Sequence, residues 1–332
     1  MLRPVLLALA LAACGKSTVT PDEDLGGLVK AKSAETAPID VARAAKEPAE
    51  LGRALAQPYG ASIAALGPHT LTVTSSMATD GAAALDDKSV LELAAGGAWH
   101  GLYTNSADYG REAIYDPRAT LGAIPRGVEG AAPAIGSGSG VAASAHDVVG
   151  VLFLRPRYQR WHARAPETPD EPVEVRDGYT DAAAATWDLL SPGAKLADLG
   201  AATIAGRAGR KIGVTLKAGG AAPTQAPKEA LVQRKWRESR KVTALAGEIV
   251  LDDKTGVPLA VSLDGELTFA REGASHTMKV SVKTELAPGA VAVDDPGGDQ
   301  IVATPERLHE VEDRDQLLKD LAPPQAHGQK QP

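Results

Sequence analysis

An α+β fold built on a meandering antiparallel sheet is predicted by three features of the sequence. Apolar residues alternate with polar ones over long stretches near the C-terminal end: Leu245, Gly247, Ile249 and Leu251, then Val257, Leu259, Val261, Leu263, Gly265, Leu267 and Phe269. That period of two belongs to half-buried strands. Between the two runs stands Asp252-Asp253-Lys254-Thr255-Gly256, whose Asp and Gly favour a tight turn, so the runs form a hairpin. Helical periodicity is confined to short stretches stopped by Pro or Gly, which predicts a few short helices packed on the sheet.

Taken in order, Glu47 to Leu66 carries Leu51, Leu55, Ile63 and Leu66 among alanines, and reads as one or two helices broken at Pro58. The period changes at Gly67, where Leu71, Val73, Ser75 and Met77 alternate with Thr70, Thr72, Thr74 and Ser76 to give a first strand. Strand-like runs recur at Ser89 to Ala95, Ala98 to Asn105, Arg111 to Tyr115 and Val148 to Trp161. Residues 127–147 form a Gly/Ala-rich insertion between strands. Ala182 to Ser191 predicts a helix that stops at Pro192 and Gly193, and Lys211 to Lys217 another strand. His276, Met278, Val280, Val282 and Thr284 add a last strand after the central hairpin. In the segment 291–322, Thr304, Pro305 and Glu306 start a terminal helix as cap, first-turn proline and acid, and residues 323–332 are a polar tail.

The N-terminus has its own logic. Arg3 precedes an apolar run from Val5 to Ala13, too short to span a bilayer, and small residues precede Cys14. Leu11-Ala12-Ala13-Cys14 resembles the bacterial lipobox, which implies that residues 1–13 are a removable signal and that the Cys14 thiol carries a lipid. Residues 14–46 then read as a tether of polar and charged residues, and the membrane is the expected partner through the lipid anchor. Lys16 stands where enteric sorting places an inner-membrane Asp, so the expected address is the outer membrane, facing the periplasm.

Composition narrows the function. The 332 residues are 44% hydrophobic, enough for a substantial core, and Cys14 is the only cysteine, so no disulfide supports the fold. Formal charge is −7, and removal of the segment carrying Arg3 leaves about −8. This balance disfavours nucleic acid as a partner.

Ile204-Ala205-Gly206-Arg207 followed by a strand, and Gly247 to Leu259 (GEIVLDDKTGVPL), resemble strands of the periplasmic half-barrel superfamily that includes LolA, LolB, RseB and the mycobacterial LppX group. Asn105 to Ile114 and Leu154 to Trp161 fit its central strands. The resemblance covers roughly residues 47–290. It implies a curved antiparallel sheet, an open half-barrel, with a concave apolar cavity for acyl chains or a surface that senses them.

Catalytic signals are weak. The seven histidines lack metal-ligand spacing and read as solvated side chains. Ser137 and Ser139 fall outside a nucleophile-elbow register, and Gly206, Gly209, Arg210 and Lys211 lack the phosphate-loop spacing. Asp86 with Asp87, and Asp252 with Asp253, sit at predicted turns, where Asp bonds its own backbone. The expectation is therefore a protein without catalytic residues, metal or cofactor. Trp99, Tyr103, Tyr158, Trp161 and Trp187 are candidates either for the core or for the lining of a ligand cavity. Arg155, Arg157, Arg160, Arg237 and Arg240, with Arg164, Arg234, Lys235 and Lys241 nearby, form two basic clusters, either solvated sheet faces or contacts for anionic headgroups. The reading that follows is an envelope lipoprotein binding a lipid or acyl chain, with a sensor or protein-interaction module as the alternative and a hydrolase as a lesser one.

Overall fold

The computed structural model describes residues 38–120, 149–218 and 238–302. They form one open twelve-stranded sheet with short helices on one face. In chain order the strands are β1 (His69–Thr79), β2 (Leu85–Leu93), β3 (Trp99–Asn105), β4 (Gly110–Thr120), β5 (Val149–Pro156), β6 (Trp161–Arg164), β7 (Ala194–Ile204), β8 (Arg207–Leu216), β9 (Lys241–Asp252), β10 (Pro258–Arg271), β11 (Ala274–Pro288) and β12 (Ile301–Val302). Their spatial order is β12-β6-β5-β4-β3-β2-β1-β11-β10-β9-β8-β7. All neighbours run antiparallel except β12, which pairs with β6 in parallel. The sheet is two meanders joined where β1 meets β11, in an unbroken register from His69 opposite Pro288 to Thr79 opposite Met278. With β7 at one edge and β12 at the other, the half-barrel is not closed.

Among the described residues five α-helices cover one face: α1 (Val41–Ala44), α2 (Pro48–Leu55), α3 (Tyr59–Leu66), α4 (Glu171–Asp177) and α5 (Ala182–Leu190). The predicted break at Pro58 separates α2 from α3. Gly67, in the left-handed region at φ 69°, ends α3 and turns the chain into β1. Helix α5 lies across β10, β11 and β1, and Leu190 is so close to Gly265 that an added Cβ would overlap its side chain. At Gly101 an added Cβ would stand 2.6 Å from the Tyr179 ring. Both glycines are therefore seats for larger side chains. Trp187 Nε1 donates to the Pro48 carbonyl at 3.2 Å and ties α5 to α2.

The main core lies between helices and sheet. Leu51, Leu91, Leu190, Ile212, Ile249, Leu251 and Leu263 are wholly buried there, as the alternation of the hairpins requires. A second, smaller cluster of Ile114, Val151, Phe153, Trp161, Ala163 and Ile301 packs on the opposite face, at the β4–β6 end. The short strand β12 brings Ile301 onto it.

Several elements differ from the sequence reading. The run Val148 to Trp161 is two strands: a turn at Arg157–Arg160 separates β5 from β6, with Tyr158 at φ 66°. Strand β7 was not predicted, because an edge strand of Ala, Gly, Asp and Leu with a bulge between Asp198 and Gly200 shows little alternation. Asp86 and Asp87 lie inside β2 and not in a turn, since cross-strand hydroxyls satisfy them: Ser76 Oγ donates to Asp86 at 2.6 Å and Tyr103 Oη to Asp87 at 2.5 Å. Helix α4 is a further element without a counterpart in the sequence pattern.

Residues before Glu47 take part in the described fold. Ile39 packs against the core, and Glu50, 1% exposed, accepts from the Asp40 amide (3.1 Å) and pairs with Arg43 (3.1 Å) and Arg53 (2.6 Å). Burial acts to raise the Glu50 carboxyl, but these partners outweigh it and hold it below the usual range. Cys14, the insertion 127–147, the basic residues Arg234, Lys235 and Arg237, the terminal helix from Thr304 and the tail lie outside the described residues.

Candidate binding surface

The side of the sheet away from the helices carries the candidate site. Because successive residues of a strand point to opposite faces, Leu71, Val73 and Met77 go to the core and Thr72, Thr74 and Ser76 to the open face. The register of β2, β11 and β10 adds Asp86, Lys88, Ser281, Lys283 and Asp264 to the same surface. Two depressions of about 560 and 580 Å³ form there, and share Ser76, Asp264 and Ser281. The first is rich in hydroxyls and in charges of both signs, whereas the second is lined largely by small apolar residues with Asp264, Glu266 and Lys279 among them. At the end of this face, Asp80, at φ 52° in the β1–β2 turn, accepts from the Thr277 amide (2.8 Å) and pairs with His276 (2.7 Å).

Further along the open face, one polar ladder crosses four strands. His100 on β3 binds Glu92 of β2 through Nδ1 at 2.7 Å and Glu112 of β4 through Nε2 at 2.8 Å. Glu112 also accepts from Arg155 Nε of β5 at 2.6 Å, and the Arg155 guanidinium lies 4.4 Å from the centre of the Trp161 ring. Burial acts to lower the His100 pKa, but the bonds to Glu112 and Glu92 outweigh it and raise it. For Glu112 burial acts upward, and His100 and Arg155 bring the carboxyl below the usual range. No local pattern signals this ladder, because three hairpin registers assemble it.

The aromatic candidates do not converge on one cavity. Trp99, 1% exposed, sits in the main core with Tyr115 and Tyr179 at ring distances of 6.3 and 6.4 Å. Trp187 belongs to the same core, and Trp161 to the second cluster on the other face. Tyr103 is half-buried, with the Arg111 guanidinium 5.7 Å from its ring. Tyr158 is 78% exposed in the β5–β6 turn. Tertiary packing thus sorts the five among the main core, its margin at Tyr103, the second cluster and the solvent.

The arginine candidates are likewise divided. Arg155 is engaged by Glu112, and Arg157 pairs with Asp108 at 2.9 Å while lying over the Tyr158 ring at 4.7 Å. Arg160 is exposed in the same turn. Arg240 is buried, donating to the Asp188 carbonyl at 3.0 Å, and six strands separate it from β5 in the sheet. It does not join the others.

The Asp252 turn is as expected: Oδ1 accepts from the Lys254 and Thr255 amides at 3.0 and 2.9 Å, and Oδ2 from Arg207 Nε at 2.9 Å. Two histidines correct the solvated reading. His69 is completely buried, bonded to the Tyr59 hydroxyl of α3 and the Gly67 carbonyl, and His100 is held by two carboxylates that the strand registers bring beside it. Among the described residues no group of three or more His, Asp or Glu is placed to hold a metal ion, and no helix is long and apolar enough to cross a membrane.

No family model matches the sequence, nor does any curated protein. Solved structures do. The chain is similar to MucB in complex with MucA(peri), at 14% identity and TM-score 0.20, over 74% of this chain and 60% of that one. It therefore spans about 60% of the length of that MucB chain. It is also similar to a DUF1329 family protein from Desulfovibrio piger (9% identity, TM-score 0.21, 75% of this chain and 96% of that one). A LolA superfamily protein from Nitrosomonas europaea matches at 6% identity and TM-score 0.20, over 68% of this chain and 87% of that one. At such identities and TM-scores, any functional reading rests on the molecule's own geometry.

Proposed function

We propose that this protein is a non-catalytic binding protein of the bacterial envelope, anchored through a lipidated Cys14, whose open sheet face receives an extended polar segment of a partner protein. The observation that carries the reading is the contrast between the two faces. The helix-covered side is filled by side chains such as Leu51, Leu190 and Trp187, whereas the open side has one depression lined mainly by Ser, Thr, Asp and Lys, adjoining a second in which Asp264, Glu266, Lys279 and two serines stand among alanines. Hydroxyls with interspersed charges of both signs suit a hydrated polypeptide with its own mixed charges, not an acyl chain.

A photo-crosslinking residue at Ser76 or Ser281, with Thr203 on β7 as control, tests this. A discrete adduct from the first two positions that disappears on Asp264→Lys is expected. Equal labelling at all three positions would overturn the surface reading.

A second reading, acyl-chain binding between sheet and helices, has one observation in its favour. Apolar side chains run along the helix-covered face from Leu152 of β5 through Leu91, Val73 and Leu263 to Ile212 of β8, so displacement of the helix layer would expose an apolar surface there. Lipid extracted at one molecule per protein from the purified chain supports this reading in place of the first.

A further inference from the structure

We infer that His100 is a proton-operated clasp: as an imidazolium it closes the ladder across β2 to β5, and on losing its proton it releases one rung and loosens that wing of the sheet. The argument is geometric. Both ring nitrogens of His100 face carboxylate oxygens, Nδ1 toward Glu92 at 2.7 Å and Nε2 toward Glu112 at 2.8 Å. Carboxylates only accept hydrogen bonds, and only the imidazolium has a donor on each nitrogen. In the neutral ring one nitrogen would turn a lone pair to a carboxylate, and that rung must break.

Among the described residues the charged groups around the ring are few. Glu92 faces it from β2 and Glu112 from β4, with Arg155 of β5 behind Glu112. Leu102, the next open-face residue of β3, and Ile114, opposite His100 on β4, are uncharged. The ladder continues through Arg155 to Trp161, which belongs to the second apolar cluster with Phe153 and Ile301. The ladder thus links His100 by direct contacts to the cluster in which Trp161 of β6 and Ile301 of β12 pack. The sign follows from the raised pKa of His100. Its contribution to stability is complete below the ordinary value of 6.5 and is lost as pH rises through the higher folded value. His276, paired with Asp80, acts with the same sign, so the test compares wild type with one variant.

Full-length detergent-solubilised protein and its His100→Gln variant are titrated by NMR of the imidazole protons and unfolded in urea at several pH values. The resonance missing from the variant is expected to titrate above 6.5, and the urea midpoint of the wild type to fall more steeply with rising pH than that of the variant. A resonance titrating at or below 6.5, or parallel midpoint profiles, would overturn the inference. Should His100→Gln fail to fold, Glu92→Gln in the same titration is expected to lower the His100 midpoint, and an unchanged midpoint counts against the clasp.

Discussion

The hydroxyl of Tyr59, on the first turn of α3, is hydrogen-bonded to Nε2 of His69, the first residue of β1, while Nδ1 of His69 stands 2.6 Å from the Gly67 carbonyl. A carbonyl only accepts, so Nδ1 carries the proton and Nε2 accepts from Tyr59. One neutral histidine thus joins the helix layer to the sheet. Tyr59→Phe removes the donor and leaves a buried nitrogen unsatisfied, at a cost of about 1–3 kcal/mol. Urea denaturation of the two proteins measures it.

The same pair sets a pH dependence opposite to that of His100. Burial lowers the His69 pKa, only partly offset by the Gly67 carbonyl. The unfolded chain therefore binds a proton that the folded chain refuses, and stability falls as pH drops below the ordinary value of 6.5. In His69→Gln that part of the acid limb is expected to flatten, whatever the absolute loss of stability. An unchanged slope between wild type and variant would contradict a buried neutral His69.

Gly101 and Gly265 hold the helix layer close to the sheet, facing Tyr179 and Leu190. Gly101→Ala is expected to cost about 1–3 kcal/mol by overpacking, despite the better strand propensity of alanine. The reverse error, Leu190→Ala, empties a wholly buried position and is expected to cost about 2–5 kcal/mol. Thermal or urea midpoints of both variants check the seating of α5.

Asp252 ends β9 by gathering the Lys254 and Thr255 amides, the Thr255 hydroxyl and Arg207. Burial acts to raise its pKa, but these donors win and lower it. Its stabilisation is present above the ordinary value of 3.8 and is lost as pH falls through the depressed folded value. Asp252→Ala should destabilise by about 1–3 kcal/mol at neutral pH and by less in acid, which unfolding curves at neutral and acidic pH would measure.

Cys14→Ser is expected to move the protein from the membrane fraction to the soluble one, and intact mass of the wild type to exceed that of the signal-free chain by its acyl groups. A wild-type mass equal to the bare polypeptide would remove the anchor from the proposed function.

Much of the sheet was legible because its physics is local. In β10, Leu259, Val261, Leu263 and Leu267 alternate with polar residues and all four are buried, while Asp252 to Gly256 made the turn its residue types demand. Strand β7 was not legible, since Ala194–Ile204 lies at an edge where exposure removes the pressure to alternate. The five aromatic candidates could not be sorted either. Trp99 and Trp161 both begin strands, but strand parity in the assembled sheet sends one to the helix side and the other to the open side.

What the sequence determined by itself is therefore the short-range part: the period of two, the stops at Pro58 and Gly67, the Asp252 turn, and an α+β fold with helices on an antiparallel sheet. Steric alternation and capping act within a few residues, and so can be read from them. Only the tertiary structure decided that β1 closes against β11, that the helices fill one face and leave the other open, and that Glu92, His100, Glu112 and Arg155 meet. Those relationships depend on the registers of strands far apart in the chain, and a shift of one residue would send each side chain to the opposite face.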